Sequence, residues 1–330
     1  MEKIESQIQD LKKKHNAIVL AHYYEEGDIQ DIADFVGDSL QIAQFGQKSD
    51  AKTIVMCGVV FMAESIKILS PEKKVLVPDV NAGCSLVAAS PFKDYLHWRK
   101  SHPHHVAITY INSSVEVKSI SDVICTSSNA EKIINSIPRE RGILFGPDRH
   151  LGNYLSKKLK RPMELWPGAC EVHVLFSAKE LFLLREKHPD AWILAHPECD
   201  DSVLAQSDVV GSTSKLLSEV QNNTAKRKFI VATELGIFHQ MQKLRPEAEL
   251  IQAPTAEGCG CNKCPYMKLN TLEKIRDTLV NLSPEIRVSK DVLERARIPL
   301  ERMMEISSSP ETCSVAASYD DSQSDTPTRA

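Results

Sequence analysis

AIVLAHYYE at 17–25, VAITYINSS at 106–114 and AWILAHPEC at 191–199 each run apolar and then end in polar, hydrogen-bonding side chains. With His22, Tyr110 and His196 in register, the steps between them are 88 and 86 residues. Tyr24, Asn112 and Glu198 keep the same steps, two residues further along the same strand face. Ser39 in VGDSLQIA, Ser127 in ICTSSNA and Thr213 in VGSTSKLL repeat them again. A second strand follows in KTIVMCGVV, RGILFGPDR and KFIVATELG, and a third in KKVLVPDVNAGC, RPMELWPGAC and AELIQAPTAEGC. Helical periodicity fills the gaps, as in DIADFVGDSLQIAQF and SAKELFLLREKH. Alternating strand and helix with a fixed period predicts an α/β fold: three homologous α/β units with parallel sheets, arranged around a pseudo-threefold axis.

The expected boundaries are 1–90 for the first unit, 91–176 for the second and 177–306 for the third, with 307–330 as a disordered tail of small and polar residues. An amphipathic helix with Ile4, Ile8 and Leu11 on one face precedes the first strand. Another, capped by Thr271 and striped by Leu272, Ile275, Leu279 and Leu282, is one of the C-terminal helices of the third unit.

Across 330 residues, 40 Lys+Arg face 44 Asp+Glu, a net charge of −4, so no basic surplus points to nucleic acid. The longest near-continuous apolar run, TIVMCGVVFMA at 53–63, is short of the roughly 18–20 residues that span a bilayer. The N-terminal stretch carries no apolar signal core, so the expectation is a cytoplasmic protein with no membrane and no nucleic-acid partner. SHPHHVAI, with His102, His104 and His105, and AKRK at 225–228 read as solvated surface.

Nine cysteines, at 57, 84, 125, 170, 199, 259, 261, 264 and 313, point to metal or redox chemistry. Cys84 and Cys170 are 86 residues apart, the repeat period, and the third unit offers Cys259, Cys261 and Cys264 in EGCGCNKCPYM. Equivalent residues of a pseudo-threefold assembly meet on the axis, outside the carboxyl ends of the strands. Three thiolates there can hold zinc with a fourth ligand, or a 4Fe-4S cluster with one iron free of protein. Structural zinc usually takes closely spaced ligand pairs, and the isolation of Cys84 and Cys170 favours the cluster. Cys57 and Cys125 read as small buried apolar residues, and Cys313 as a tail residue without a role. The CxCxxC spacing allows Cys259 and Cys261 to pair with each other or with Cys264, which would make the site redox-sensitive.

AHYY with DIADFVGDS, VPDVNAGCSL, YINSS, CTSSNA, FGPDRHLG, WPGACEVH, AHPEC, VGSTS, TELGIFHQM and CPYMKLNTL occur in that order, and over about residues 1–306 the chain resembles the quinolinate synthase family. That family is the 4Fe-4S enzyme of de novo NAD biosynthesis. The resemblance implies three α/β domains with one cluster cysteine from each. It also implies condensation of iminoaspartate with dihydroxyacetone phosphate to quinolinate, phosphate and water, the cluster acting as Lewis acid. By the family pattern the cysteine before Pro-Tyr-Met, Cys264, joins Cys84 and Cys170 as the third ligand. Cys259 and Cys261 depart from the commoner CxxCxxC spacing, so no redox role carries over to them.

On the same resemblance, His22, Ser39, Tyr110, Asn112, Ser127, His173, His196, Ser212 and Thr213 supply donors for anionic substrate groups with little fixed charge, and Met267 packs against the product ring. Tyr24, Tyr110 and Glu198 are the implied proton-transfer groups, Glu198 made basic by burial. Functional coupling to an aspartate-oxidising enzyme that supplies iminoaspartate is the expected partnership. The alternative reading is an iron-sulfur hydro-lyase acting on another carboxylic acid. A non-enzymatic iron-sulfur sensor ranks last, since it has little use for imidazole and hydroxyl groups at every strand end.

Overall fold

A computed structural model describes residues 3–256 and 262–309, so Cys259, Cys261 and Cys313 lie outside the described residues. Three parallel four-stranded sheets are built in one pattern. The first contains β1 (Ala17–His22), β2 (Phe35–Gly37), β3 (Thr53–Cys57) and β4 (Lys74–Leu76). The second contains β5 (His105–Tyr110), β6 (Val123–Cys125), β7 (Gly142–Gly146) and β8 (Glu164–Leu165). The third contains β9 (Trp192–Ala195), β10 (Val209–Val210), β11 (Lys228–Ala232) and β12 (Glu249–Gln252). Their orders are β2-β1-β3-β4, β6-β5-β7-β8 and β10-β9-β11-β12, the three homologous α/β units expected from the repeat.

The edge strands β2, β6 and β10 are an addition to the sequence reading. They begin at 35, 123 and 209, again 88 and 86 apart. DIADFVGDSLQIAQF is therefore not one helix: Gly27–Ile32 is helical, β2 follows, and a new helix runs over Ser39–Lys48. Asp38 starts that helix with a capping box, its side chain accepting the Gln41 N–H while the Gln41 side chain takes the Asp38 N–H.

One aspartate per unit ties each edge strand to its central neighbour. Asp34, Asp122 and Asp208 accept the N–H of Val19, Ala107 and Ile193 at 2.7, 2.7 and 2.8 Å. Each also meets a cation: Lys12 at 2.8 Å, Arg99 at 2.9 Å and Arg185 at 3.2 Å. A second repeated device uses the buried cations Lys73, Arg161 and Arg245, which donate to carbonyls at a helix C-terminus in their own unit. Carbonyls at a helix C-terminus lack the N–H donors of a following turn, and these side chains bring donors to them in the interior.

The central strands are near-continuous apolar runs covered on both faces, as parallel sheets require. The first two units share a core that joins Leu20 and Ile66 to Ile108, Ile124 and Phe145, whereas clusters around Ile193 and Phe229 flank the third sheet. The chain after residue 270 leaves the third sheet, to which the sequence reading attached it. Helix Leu272–Asn281, capped by Thr271, packs on Ile4–His15, and Lys290–Ser308 packs on β6 and neighbouring helices of the first two units. That last helix also carries ordered structure through Ser308, past the expected tail boundary at 307. Among the described residues, no helix is long and apolar enough to cross a membrane.

Arg161→Met removes the donors to Ile134, Ile137, Pro138 and Arg141 carbonyls. It should lower stability by about 2–4 kcal/mol, the range for stranding buried polar groups, and Arg245→Met should do the same in the third unit. Urea midpoints unchanged in both variants would contradict this role.

Candidate functional site

The carboxyl ends of the three sheets converge on one cavity. The first unit contributes His22, Tyr24, Asp38, Ser39 and Cys84 to its wall, the second Tyr110, Asn112, Ser127, Ser128, Cys170 and His173, and the third His196, Glu198, Thr213, Cys264 and Met267. Val59, Phe61, Met62 and Val172 add apolar surface and Glu171 a further carboxylate, and among the described residues no lysine or arginine lines it. Every sequence-predicted site residue lies on this wall except Ser212. That side chain caps helix Thr213–Asn222, its Oγ accepting the Lys215 N–H at 3.4 Å.

His22 and His196 are equivalent in structure as well as in sequence. In each, Nδ1 accepts the backbone N–H two residues on, from Tyr24 at 3.1 Å and from Glu198 at 3.4 Å. A neutral imidazole with Nδ1 accepting carries its proton on Nε2, which leaves an uncharged N–H donor. Burial enforces neutrality, lowering His22 to about 4 and His196 to about 3, against the pull of Asp38 on the first and Glu198 on the second. His196 Nε2 lies 3.3 Å from Ser127 Oγ and its ring stacks on His173 with centroids 4.6 Å apart.

Glu198 differs from the expectation of a base strengthened by burial. Burial does push its carboxyl up, but His196, His173 and the Tyr110 hydroxyl together hold it well below the usual range. Its Oε2 is 2.8 Å from His173 Nδ1. Glu198 is thus a carboxylate already supplied with donors. Tyr24 and Tyr110 are raised by burial, so both are neutral phenols. Tyr24 Oη lies 2.7 Å from Thr233 Oγ1 and 3.1 Å from Thr213 Oγ1.

Each of the three cysteines begins a short helical turn whose N–H groups point back at its sulfur. Leu86 and Val87 donate to Cys84, His173 to Cys170, and Tyr266 and Met267 to Cys264. Burial pushes the thiols up, Cys84 to about 12, Cys264 to about 11 and Cys170 well above its ordinary value. Such sulfurs become thiolates only beside added positive charge, and N–H donors are what a thiolate then needs. The donor set fits a bound metal group. A second set, Cys170, His173 and Glu198, brings its ligand atoms within 4.8 Å of one another.

Four functional side chains were missed in the sequence. Asp38 adds a fixed charge to the wall: its Oδ2 accepts from Ser128 of the second unit and Ser214 of the third, each at 2.7 Å. The capping pattern D-x-x-Q at 38–41 could have shown it. Asp148 and Glu234, both fully buried, accept the backbone N–H groups of Cys170 and Cys264 at 3.2 and 3.1 Å. Thr233 joins Tyr24 to His173. Nothing in the apolar pattern marks these last three.

The family described as Quinolinate synthetase A protein matches residues 6–305. Quinolinate synthase of Nostoc punctiforme is 51% identical over 300 residues, covering 91% of this chain and 92% of that relative. The enzyme of the same name from Chloroherpeton thalassium is 51% identical over 302 residues, 91% of this chain and 94% of its own. That of Cyanophora paradoxa is 50% identical over 300 residues, 91% of each.

The two buried imidazoles make a pH prediction. In the unfolded chain they take up protons at the ordinary value, so the stability gained by keeping them neutral is complete above about pH 6.5 and is lost as pH falls toward the folded values. By NMR, the ring resonances of His22 and His196 should stay at neutral positions from about pH 8 down to about pH 5.5. A midpoint near the ordinary histidine value for either would contradict the burial argument.

Proposed function

The chain belongs to the quinolinate synthetase A family, and on that premise we propose that it condenses iminoaspartate with dihydroxyacetone phosphate, releasing quinolinate, phosphate and two molecules of water. The balance needs no net electron transfer. The reading assigns the chain to de novo NAD biosynthesis in the cytoplasm, supplied with unstable iminoaspartate by an aspartate-oxidising enzyme.

The observation that carries the reading is one cysteine from each unit on a single cavity, each sulfur met by backbone N–H groups. Cys84, Cys170 and Cys264 would hold a 4Fe-4S cluster, which when bound supplies a Lewis acid for a hydroxyl or carboxylate of the substrate. The rest falls to the chain's own residues. Uncharged donors, the Nε2–H groups of His22 and His196 with Ser39, Asn112, Ser127 and Thr213, would bind carboxylate and phosphate oxygens. The absence of lysine from the wall among the described residues would keep a carbonyl substrate from forming a Schiff base with the protein. Tyr24, Tyr110 and Glu198 would move protons during isomerisation and loss of water, and Met267 would cover one face of the ring.

Anaerobic turnover with enzymatically generated iminoaspartate and dihydroxyacetone phosphate tests the reaction. Quinolinate should form only when both are present, and product formed without the triose phosphate would contradict the proposal. Purified without oxygen, the protein should carry about four irons per chain. Cys84→Ala, Cys170→Ala and Cys264→Ala should each lose them, while Cys57→Ala and Cys125→Ala keep them. Stoichiometric zinc in place of iron would overturn the cofactor assignment.

Tyr24→Phe and Glu198→Gln should keep full iron and still bind quinolinate, yet lose about 10²-fold or more in kcat, as expected for proton-transfer groups. Weakened binding with an intact maximal rate would instead make them recognition residues.

A further inference from the structure

We propose that Thr233 is a positioning residue whose hydroxyl tethers the Tyr24 phenol to His173 and so holds the Tyr24 oxygen in place against the cavity. The inference rests on Tyr24 acting in the proposed condensation.

Thr233 follows β11, is fully buried and does not reach the cavity wall. Its own carbonyl accepts the Gln252 side-chain N–H at 2.8 Å, and a β-branched side chain has few rotamers, so the hydroxyl is held in place from both ends. Its Oγ1 lies 2.7 Å from Tyr24 Oη and 2.9 Å from His173 Nε2.

Tyr24 Oη, Thr233 Oγ1 and His173 Nε2 form one chain of hydrogen bonds, which Glu198 Oε2 continues 2.8 Å from His173 Nδ1. The chain runs through residues of all three units. On its cavity side Tyr24 Oη also lies 3.1 Å from Thr213 Oγ1, a residue of the wall. The Thr233 hydroxyl meets both the phenol and the imidazole, so it ties the Tyr24 oxygen to a buried group behind it. A valine at 233 would preserve the shape, leave Tyr24 and His173 without the hydroxyl between them and free the phenol to turn.

Thr233→Val and Thr233→Ser, compared in the cluster-loaded enzyme, test this. The valine variant should lose at least about tenfold in kcat with KM, iron content and melting temperature near wild type, and serine should restore kcat to within about twofold. Adding Thr233→Val to Tyr24→Phe should cost nothing further in kcat, because the threonine acts through the phenol. The Tyr24 ¹³Cζ resonance, assigned by its loss in Tyr24→Phe, should move in Thr233→Val and return in Thr233→Ser. Wild-type kcat in the valine variant, equal damage from valine and serine, or an unmoved resonance would overturn the assignment. A wild-type enzyme that makes no quinolinate would contradict the proposed reaction, and the resonance would still decide the role of Thr233.

Discussion

A carboxylate at the entry of each edge strand holds a backbone N–H of the central strand beside it. Asp34 holds Val19, Asp122 holds Ala107 and Asp208 holds Ile193. The contact fixes strand register, and a slip of one residue would turn every side chain to the opposite face. With register fixed, the polar residues that end β1, β5 and β9 all project beyond the same carboxyl edge. Three such edges meet at one cavity. Parallel sheets place their ligand sites there, and the threefold repetition supplies three sets of groups where one sheet supplies a single set.

What those sets contain follows from burial. Cations on the wall would cost desolvation, and among the described residues the wall holds neither lysine nor arginine. Neutral imidazoles serve instead, with Nδ1 tied to the backbone and Nε2 left as donor. Two of the carboxylates on the wall, Asp38 and Glu198, are already bonded, the first to serines of the other two units and the second to His173. Sulfur follows the same logic. Thiols pushed up by burial, yet surrounded by N–H donors, are arranged for a charge that the protein alone does not provide.

Much of this was legible in the sequence because the repeat is written in long features. Seven strands of four or more residues and the polar ends of three of them stand out by periodicity. The three-residue β2 and β6 and the two-residue β10 do not: they are too short to show a period and, unlike the equally short β4 and β8, lead to no proline and cysteine repeated from unit to unit, so β2 was absorbed into a helix. The C-terminal helices follow the third unit in the chain but bury their apolar stripes against the first and second, a partnership that no local pattern encodes. Cysteines, histidines and tyrosines announced the wall. Asp148 and Glu234, which act on backbone N–H groups behind two of the cysteines, and Thr233, which acts behind Tyr24, carry no spacing of their own.

The central claim is that three units each deliver one sulfur to a single iron group facing Tyr24 and Glu198. Anomalous scattering at the iron edge, from crystals grown without oxygen, tests it most directly. The account predicts one iron peak bounded by the sulfurs of Cys84, Cys170 and Cys264. Iron centred instead on Cys170, His173 and Glu198, with Cys84 and Cys264 uninvolved, would contradict it.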